Sequence, residues 1–153
     1  MADCLFCAIA HGEAPASMVH QDARCVVFMD IHPVRPGHVL VASRRHAVQL
    51  HELPPDERAA LFELAVRVGE AQAAAGLPRQ GGTLVVNDGP AAGQHVPHVH
   101  VHVIPRARGD LPAVLRAYAG KLFNHFGRAA NRSALDALAG RIRAHLALPE
   151  APE

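Results

Sequence analysis

The segment Gly93-Gln94-His95-Val96-Pro97-His98-Val99-His100-Val101-His102-Val103-Ile104-Pro105-Arg106 alternates histidine and valine through its middle. Successive side chains of a β-strand point to opposite faces, so the three alternating imidazoles are predicted to share one face. The intervening valines then point into a core, and their β-branched side chains favour a strand. A helix would instead spread residues two apart around its axis. We therefore predict a strand that carries His98, His100 and His102 on one wall.

A row of imidazoles at this spacing suits an anion that must be both held and attacked. Cα atoms two residues apart on a strand lie about 6.6–6.8 Å from each other. Two imidazolium charges at about 7 Å repel by roughly 2 kcal/mol at an effective dielectric near 20, so at least one ring is expected to be neutral and nucleophilic near neutral pH. This chemistry indicates phosphate esters and anhydrides. The alternatives are a metal-binding strand and a strand that is merely solvated.

The run Gln94-x-Val96-x-His98-Val99-His100-Val101-His102-Val103-Ile104 resembles the signature of the histidine triad superfamily of nucleotide-binding hydrolases and transferases. The resemblance extends from Cys4 to about Asp110. It implies an α+β fold, in which an antiparallel sheet of about five strands carries one long helix, with short N-terminal and C-terminal helices beside it.

Length, charge and hydrophobic content limit the class of protein. The chain has 153 residues, of which 50% are hydrophobic, and this favours a single globular domain over residues 1–153. We expect a core at about 4–110, a C-terminal helical extension at 111–148 and a disordered tail at 149–153. A formal net charge of +1 predicts no general affinity for nucleic acid or a membrane surface. No apolar run approaches the length of a membrane span.

The three cysteines divide into a Cys-x-x-Cys pair, Cys4 and Cys7, and a single Cys25. An odd count with a close pair argues against a secreted disulfide framework. Because the N-terminus also lacks the pattern of a signal peptide, we predict a cytoplasmic protein. The pair alone leaves open half of a zinc site, a redox pair and two buried thiols. Cys25 lies in an apolar run and is predicted to be a core thiol.

The resemblance implies a zinc site at the N-terminus. Some bacterial members of the family begin with this Cys-x-x-Cys and bind zinc, and the residues that match their other ligands are His46 and His98. The implied ligand set is therefore Cys4, Cys7, His46 and His98. Four protein ligands leave no open coordination position, so such a zinc ion would be structural.

The resemblance also assigns the residues around a bound nucleotide. It makes His100 the nucleophile and places His98, His102 and His38 around the phosphate, although zinc ligation would leave His98 to brace the strand. The implied nucleotide-binding residues are Phe28, Asp30, Ile31, Asn87, Gly93, Gln94, His95, His100 and His102. Taken alone, Asp30 and Asn87 could equally be turn residues. At His95 many relatives carry Ser or Thr, so the chain departs from them there.

The resemblance implies hydrolysis at the α-phosphate of a purine nucleotide conjugate. A covalent nucleotidyl-histidine would form, and water would then release AMP. The motifs at 36–41 and 88–94 resemble the fragile histidine triad branch, which cleaves dinucleoside polyphosphates, whereas the Cys-x-x-Cys resembles bacterial purine nucleoside phosphoramidases. The alternatives are a non-catalytic, zinc-stabilised nucleotide-binding or interaction protein, and a nucleotidyltransferase or phosphorylase that uses the same intermediate. The family implies a homodimer.

Helical periodicity predicts three helices outside the short N-terminal one. The longest begins at Pro54-Pro55 and ends near Ala75, with an apolar stripe that Phe62 and Val66 widen. A second covers about 111–121 and is followed by a loop at 122–127. The last begins at Ser133, which is predicted to cap it. The predicted stripe residues are Leu61, Leu64, Ala65 and Val68 in the longest helix and Leu135, Leu138, Ile142 and Leu146 in the last.

Overall fold

Five antiparallel strands form one sheet in the computed structural model, which describes residues 4–123 and 129–147. The strands, in the spatial order β1-β2-β3-β5-β4, are β1 (Met18–Gln21), β2 (Cys25–Met29), β3 (Val39–Ser43), β4 (Gly81–Val85) and β5 (His100–Arg106). The helices of the described ranges are α1 (Leu5–His11), α2 (Pro55–Ala74), α3 (Leu111–Phe123) and α4 (Arg132–Ala144). This architecture confirms the predicted α+β fold class.

The two faces of the sheet bury different side chains of β5. Val101 and Val103 lie in the larger core, between the sheet and helices α2 and α4. His100 and His102 lie on the opposite face, which we call the histidine face, because they pair with Ala42 and Leu40 of β3. Helix α1 covers much of that second face and forms a smaller apolar cluster with Val26, Phe28, Leu40 and Ala42. The predicted alternation of β5 is therefore confirmed.

Helix α2 lies across the sheet as its sequence predicts, with one correction. A proline opens the helix, and two acidic residues occupy its first turn. Their negative charges stabilise the helix because its N-terminus is the positive end of the helix dipole. The four predicted stripe residues are buried, but Phe62 is 38% exposed and Val66 48% exposed. The prediction that these two widen the stripe is wrong. They form an adjacent i, i+4 row that is turned away from the sheet.

The C-terminal part differs from its prediction at two boundaries. Helix α3 ends at Phe123, so the loop expected from residue 122 does not begin there. Helix α4 is capped by Asn131, whose Oδ1 accepts a hydrogen bond from the backbone N–H of Ser133 at 2.9 Å. Ser133 is thus the second residue of the helix and not its cap. The rest of the expected loop, at 124–127, and the expected tail, at 149–153, lie outside the described residues.

The amphipathic character of α4 is confirmed. Leu135 and Ile142 are buried in the larger core, and Leu138 and Leu146 pack against it while partly exposed. Within 4–123 and 129–147, no helix has the length and apolarity needed to cross a bilayer.

An ion pair joins the end of β5 to the start of α3. Arg106 donates to Asp110 from Nη2 at 2.7 Å and from Nε at 3.0 Å, and the backbone N–H of Ala107 donates to the same carboxylate at 3.0 Å. Arg35 lies 3.7 Å away. These donors, Arg106 foremost, lower the pKa of Asp110 to about 2. The ionised carboxylate is therefore part of the folded state at neutral pH.

Asp110→Asn is expected to lower the Tm by several degrees at pH 7. A carboxyl whose pKa is depressed on folding stabilises above its unfolded pKa, near 3.9, and that contribution is lost as the pH falls through about 2. The Tm difference between variant and wild type should therefore narrow between pH 5 and pH 2. This difference in Tm is measured by thermal unfolding monitored by circular dichroism. The control is Asp136→Asn, since Asp136 is exposed on α4. A difference that stays constant over this range would contradict the assignment.

Candidate functional site

Strand β5 brings two of the three alternating histidines into the sheet and leaves the third at its entrance. The strand begins at His100, so the prediction that one regular strand carries all three is wrong by two residues. His98 lies in the bend before it, where Gln94 Nε2 donates to the carbonyl of Val48 at 2.7 Å. The backbone N–H of Val99 donates to Ala47 O at 2.8 Å, and this contact holds His98 on the histidine face beside α1.

The ring of His100 has one nitrogen committed to the backbone and one available. Its Nδ1–H donates to the carbonyl oxygen of His98 at 2.7 Å, since a carbonyl can only accept. The proton is thereby placed on Nδ1, and Nε2 carries the lone pair. Within the described parts of the chain, Nε2 of His100 makes no hydrogen bond. It is also not fully buried, so a bound molecule can contact it. His100 thus has the tautomer required of a nucleophile.

Burial keeps this ring neutral. His100 is 6% exposed, and desolvation lowers its pKa below the ordinary value, against smaller opposing effects of the His98 carbonyl and Asp30. The pKa of His98 is lowered in the same way, chiefly by burial, with nearby His46 and His100 adding to the effect. The expected neutral imidazole is therefore present, but desolvation contributes more than the mutual repulsion that the spacing suggested.

A second chain of contacts links His102 to the turn after β2. His38 Nε2 lies 3.0 Å from His102 Nδ1, and His38 Nδ1 lies 3.2 Å from the Asp30 carboxylate. The backbone N–H of Val34 also donates to His38 Nδ1 at 3.2 Å. The two contacts of Nδ1 correspond to different tautomers of a neutral His38 ring. If Nδ1 accepts from Val34, the proton of His38 lies on Nε2 and is donated to His102, whose own proton is then on Nε2. If Nδ1–H instead donates to the Asp30 carboxylate, Nε2 of His38 accepts from Nδ1–H of His102.

Asp30 is fixed where the turn begins. Its Oδ1 accepts a hydrogen bond from the backbone N–H of His32 at 2.8 Å, and the residue is 8% exposed. Among the described residues, Asp30, His38 and His102 also form one of two groups whose potential ligand atoms all lie within 4.8 Å of one another. Asp30 therefore has both the role of a turn residue and a direct contact with the histidine face.

The other such group is Cys4, Cys7, His46 and His98, which we call the metal cluster. Cys4 Sγ lies 3.3 Å from His98 Nδ1, and Cys7 Sγ lies 3.3 Å from His46 Nδ1 and 3.6 Å from His98 Nδ1. Zinc bonds of about 2.3 Å to sulfur and 2.0–2.1 Å to nitrogen at tetrahedral angles place S and N about 3.5 Å apart. The spacing of these side chains therefore fits a tetrahedral zinc ion.

The surroundings of the metal cluster favour a cation. His98 Nε2–H donates to the Ser43 carbonyl at 2.7 Å, which leaves Nδ1 unprotonated toward the sulfurs, the usual partner arrangement of a metal-bound histidine. Burial and the neighbouring Cys4 raise the pKa of the Cys7 thiol to about 11. A bound divalent cation reverses that balance and stabilises the thiolates. Burial raises the pKa of Cys25 to about 12, in agreement with a core thiol.

The loop before β5 holds most of the other residues implied by the resemblance. Gln94 braces this loop, because its Oε1 accepts from the Gly89 N–H at 3.0 Å while its amide donates to Val48. Asn87 Nδ2 donates to the Gly93 carbonyl at 3.4 Å. Gly93 adopts φ 80° at the end of a short 3-10 turn, a conformation that favours glycine. His95 is exposed on the same loop.

Two implied base-pocket residues lie in different environments. Phe28 is 3% exposed and packs edge-on against Phe6, with ring centroids 5.2 Å apart. Ile31 is 39% exposed, and its carbonyl accepts a hydrogen bond from the Ala130 N–H at 2.8 Å. Phe28 therefore belongs to the apolar cluster under α1, whereas Ile31 presents apolar surface outside it.

The sequence did not single out Phe6 or Ser43. Phe6 contacts the rings of both His98 and His100, and its position inside the Cys-x-x-Cys motif was the available signal. Ser43 orients His98 through its backbone carbonyl. A carbonyl carries no sequence signal, so only the pairing of chain segments could reveal that role.

An antiparallel sheet with alternating histidines on an interior strand, beside a Cys2His2 cluster, is the arrangement of a histidine triad protein. The HIT domain family model matches residues 11–109, and the chain belongs to this family. A HIT-like protein of Mycobacterium tuberculosis is 40% identical over 113 residues, 74% of this chain and 78% of that protein. The adenosine 5'-monophosphoramidase hnt1 of Schizosaccharomyces pombe is 34% identical over 103 residues, 67% of this chain and 74% of that protein.

A solved structure supports the same assignment. The Zn-bound histidine triad family protein of Mycobacterium smegmatis superimposes with a TM-score of 0.77 at 33% identity, covering 95% of this chain and 94% of that one. The match extends beyond the family segment, so the C-terminal helices belong to the shared architecture.

Proposed function

We propose that this protein is a nucleotide hydrolase that acts at the α-phosphate of purine nucleotide conjugates. The observation that carries the proposal is the hydrogen bond from His100 Nδ1 to the His98 carbonyl at 2.7 Å. It presents an unprotonated Nε2 on the histidine face, which nucleophilic catalysis requires and simple binding does not. The S. pombe relative named as a monophosphoramidase supports a nucleoside phosphoramidate as substrate, with dinucleoside polyphosphates as the second class.

The proposed reaction has two displacements at one phosphorus atom. His100 Nε2 donates its lone pair to the α-phosphorus, a P–N bond forms, and the bond to the leaving nitrogen or oxygen breaks with its electron pair. The leaving atom takes up a proton, for which the proposed donor is Nε2–H of His102 in its imidazolium form, so that the ring is left as neutral imidazole. Water then attacks the same phosphorus and gives up one proton to Nε2 of His102, the P–N bond breaks with its electron pair returning to Nε2 of His100, and AMP leaves. Two moderate barriers replace one high barrier.

The remaining residues hold the charge and the shape of the site. His102 and His38 are proposed to stabilise the charge that develops on the phosphoryl oxygens. The metal cluster is proposed to hold zinc, which would fix the N-terminus and the His98 bend without touching substrate. Because four protein ligands saturate a structural zinc site, no open position is proposed for a water molecule.

Turnover assays with defined substrates test the function. The purified protein is incubated with adenosine phosphoramidate and with diadenosine polyphosphates, in the presence and absence of inorganic phosphate. AMP formation without phosphate is the expected result. ADP that appears only with phosphate would instead identify a phosphorylase, and nucleotide binding without turnover would identify a non-catalytic binding protein.

Asp30→Asn is expected to weaken recognition of the ribose. We propose that the Asp30 carboxylate accepts hydrogen bonds from the vicinal hydroxyls, as the resemblance implies, and such charge-assisted bonds contribute about 1.5–3 kcal/mol. The kcat/KM for ribonucleotide substrate should fall by roughly 10- to 100-fold, while the value for the 2′,3′-dideoxy analogue changes little. An equal loss for both substrates would show that Asp30 acts only through His38.

We also propose a homodimer and a cytoplasmic location. Strand β4 is an edge strand in the described sheet, where Leu84 is 42% exposed, and Phe62 and Val66 of α2 are exposed as well. These apolar side chains support association of two copies. Light scattering coupled to size-exclusion chromatography tests the dimer, and a monomer mass at micromolar concentration would contradict it.

A further inference from the structure

Phe6 occupies an unusual place between the metal cluster and the histidine face. It lies in the first turn of α1, between Cys4 and Cys7, and is 5% exposed. Its ring centroid lies 5.0 Å from that of His100 with the planes at 90°, and 5.8 Å from that of His98 at 67°. One aromatic ring therefore contacts both a residue of the metal cluster and the proposed nucleophile.

Two rings contact the His100 ring. The Phe6 ring is perpendicular to it, and the His102 ring lies with its centroid 4.8 Å away and its plane at 64°. The hydrogen bond from Nδ1 fixes one nitrogen, but the outer torsion of a histidine side chain is broad. The two neighbouring rings supply the remaining restraint, since edge-to-face contacts have a preferred geometry. Without Phe6, the space beside His100 would allow the ring to tilt.

The position of Phe6 depends in turn on how α1 is held. Helix α1 has only seven residues, and Cys4 at its N-cap makes no side-chain capping bond. Isolated helices this short are marginal in water, so α1 relies on its buried face and its ends. The metal cluster ties both cysteines to His46 and His98, and thereby anchors the turn that carries Phe6.

We propose that Phe6 is a positioning residue for His100, and that the metal cluster controls the nucleophile by holding Phe6 against its ring. The inference rests on the proposed function in assigning the nucleophile to His100. His98 provides a second route between the two sites, because its side chain belongs to the metal cluster while its carbonyl fixes the His100 tautomer. The side chains of the metal cluster are therefore connected to His100 through both Phe6 and His98.

Three variants separate positioning from general packing. Phe6→Leu keeps an apolar side chain and loses the flat ring, and Phe6→Ala removes both. Ile9→Ala is the matched control, since Ile9 is buried in the same cluster under α1 and none of the described ring contacts involves it. Each protein is characterised by its zinc content, its affinity for AMP, its single-turnover rate of nucleotidyl-histidine formation, and the NMR signal of the His100 Nδ1–H.

Both Phe6 variants are expected to lower the single-turnover rate by roughly 10- to 100-fold, the loss that a displacement of about 1 Å can cause. The dissociation constant for AMP and, in Phe6→Leu, the zinc content should stay near the wild-type values, and the Nδ1–H signal should weaken. Ile9→Ala should keep both the rate and the signal. Wild-type rates in Phe6→Leu, or an equal loss in Ile9→Ala, would overturn the inference.

The same three variants also show whether a negative result contradicts this inference or the proposed function. If the wild-type protein forms no nucleotidyl-histidine, the proposed function fails, and the NMR signal alone decides the role of Phe6. Loss of the Nδ1–H signal in both Phe6 variants but not in Ile9→Ala would still support positioning. An unchanged signal in the Phe6 variants would overturn it.

Discussion

His100→Ala is expected to lower AMP formation by at least about 1,000-fold, because no other group can form the covalent intermediate once the nucleophile is removed. The His38–His102 contact is kept in this variant, since it does not involve the His100 ring. Nucleotide affinity should therefore change only a few-fold. A large fall in the rate of AMP formation with little change in nucleotide affinity would show that the variant has lost the chemical step and kept the binding site.

Steady-state assays and intact-protein mass spectrometry measure this outcome. Rapid quenching of the wild-type reaction should show protein that carries one nucleotidyl group, and the variant should show none. His145→Ala is the matched control, because His145 is exposed at the end of α4, on the other side of the sheet from the triad. The nucleophile assignment would be falsified if His100→Ala still formed the covalent species.

The second large effect is expected at the metal cluster. Cys4→Ser removes one sulfur ligand, and the zinc content should fall from about one ion per chain to a small fraction of that. Structural zinc contributes about 10–16 kcal/mol in small domains that fold around it. Even about 3 kcal/mol of that contribution would lower the Tm of a chain of this size by roughly 6–12 °C. Chelation of wild-type protein should reproduce the shift.

Cys25→Ala provides the control for this prediction. Cys25 is 2% exposed in the larger core and belongs to neither group of potential ligands in the described ranges. Its replacement should leave a small cavity and lower the Tm modestly, with the zinc content unchanged. Elemental analysis of the two variants side by side decides the assignment, and an undiminished zinc content in Cys4→Ser would rule out a zinc site at this cluster.

Helix ends show where local sequence was insufficient. The sequence predicted Ser133 as the cap of α4, but the helix begins earlier, and asparagine is as good a capping residue as serine. The choice falls on Asn131, whose side chain accepts from the Ser133 N–H. Similarly, Phe62 and Val66 continue an apolar pattern, but the sheet covers only the row beside them. Which face of a helix is buried depends on the surface it meets.

The histidine face was determined by the sequence alone, because the direction of side chains on a strand follows from backbone geometry within a few residues. The same local rule placed the valines of β5 in the core. The tertiary structure decided which partners these rings meet. The Ser43 carbonyl reaches His98 from a strand far away in sequence, and the Phe6 ring reaches His100 from helix α1. The His98 carbonyl is only two residues from His100, and the bend before β5 turns it toward the ring. Burial by those segments also lowers the pKa of His100, and the desolvation of a side chain exists only once the chain has folded around it.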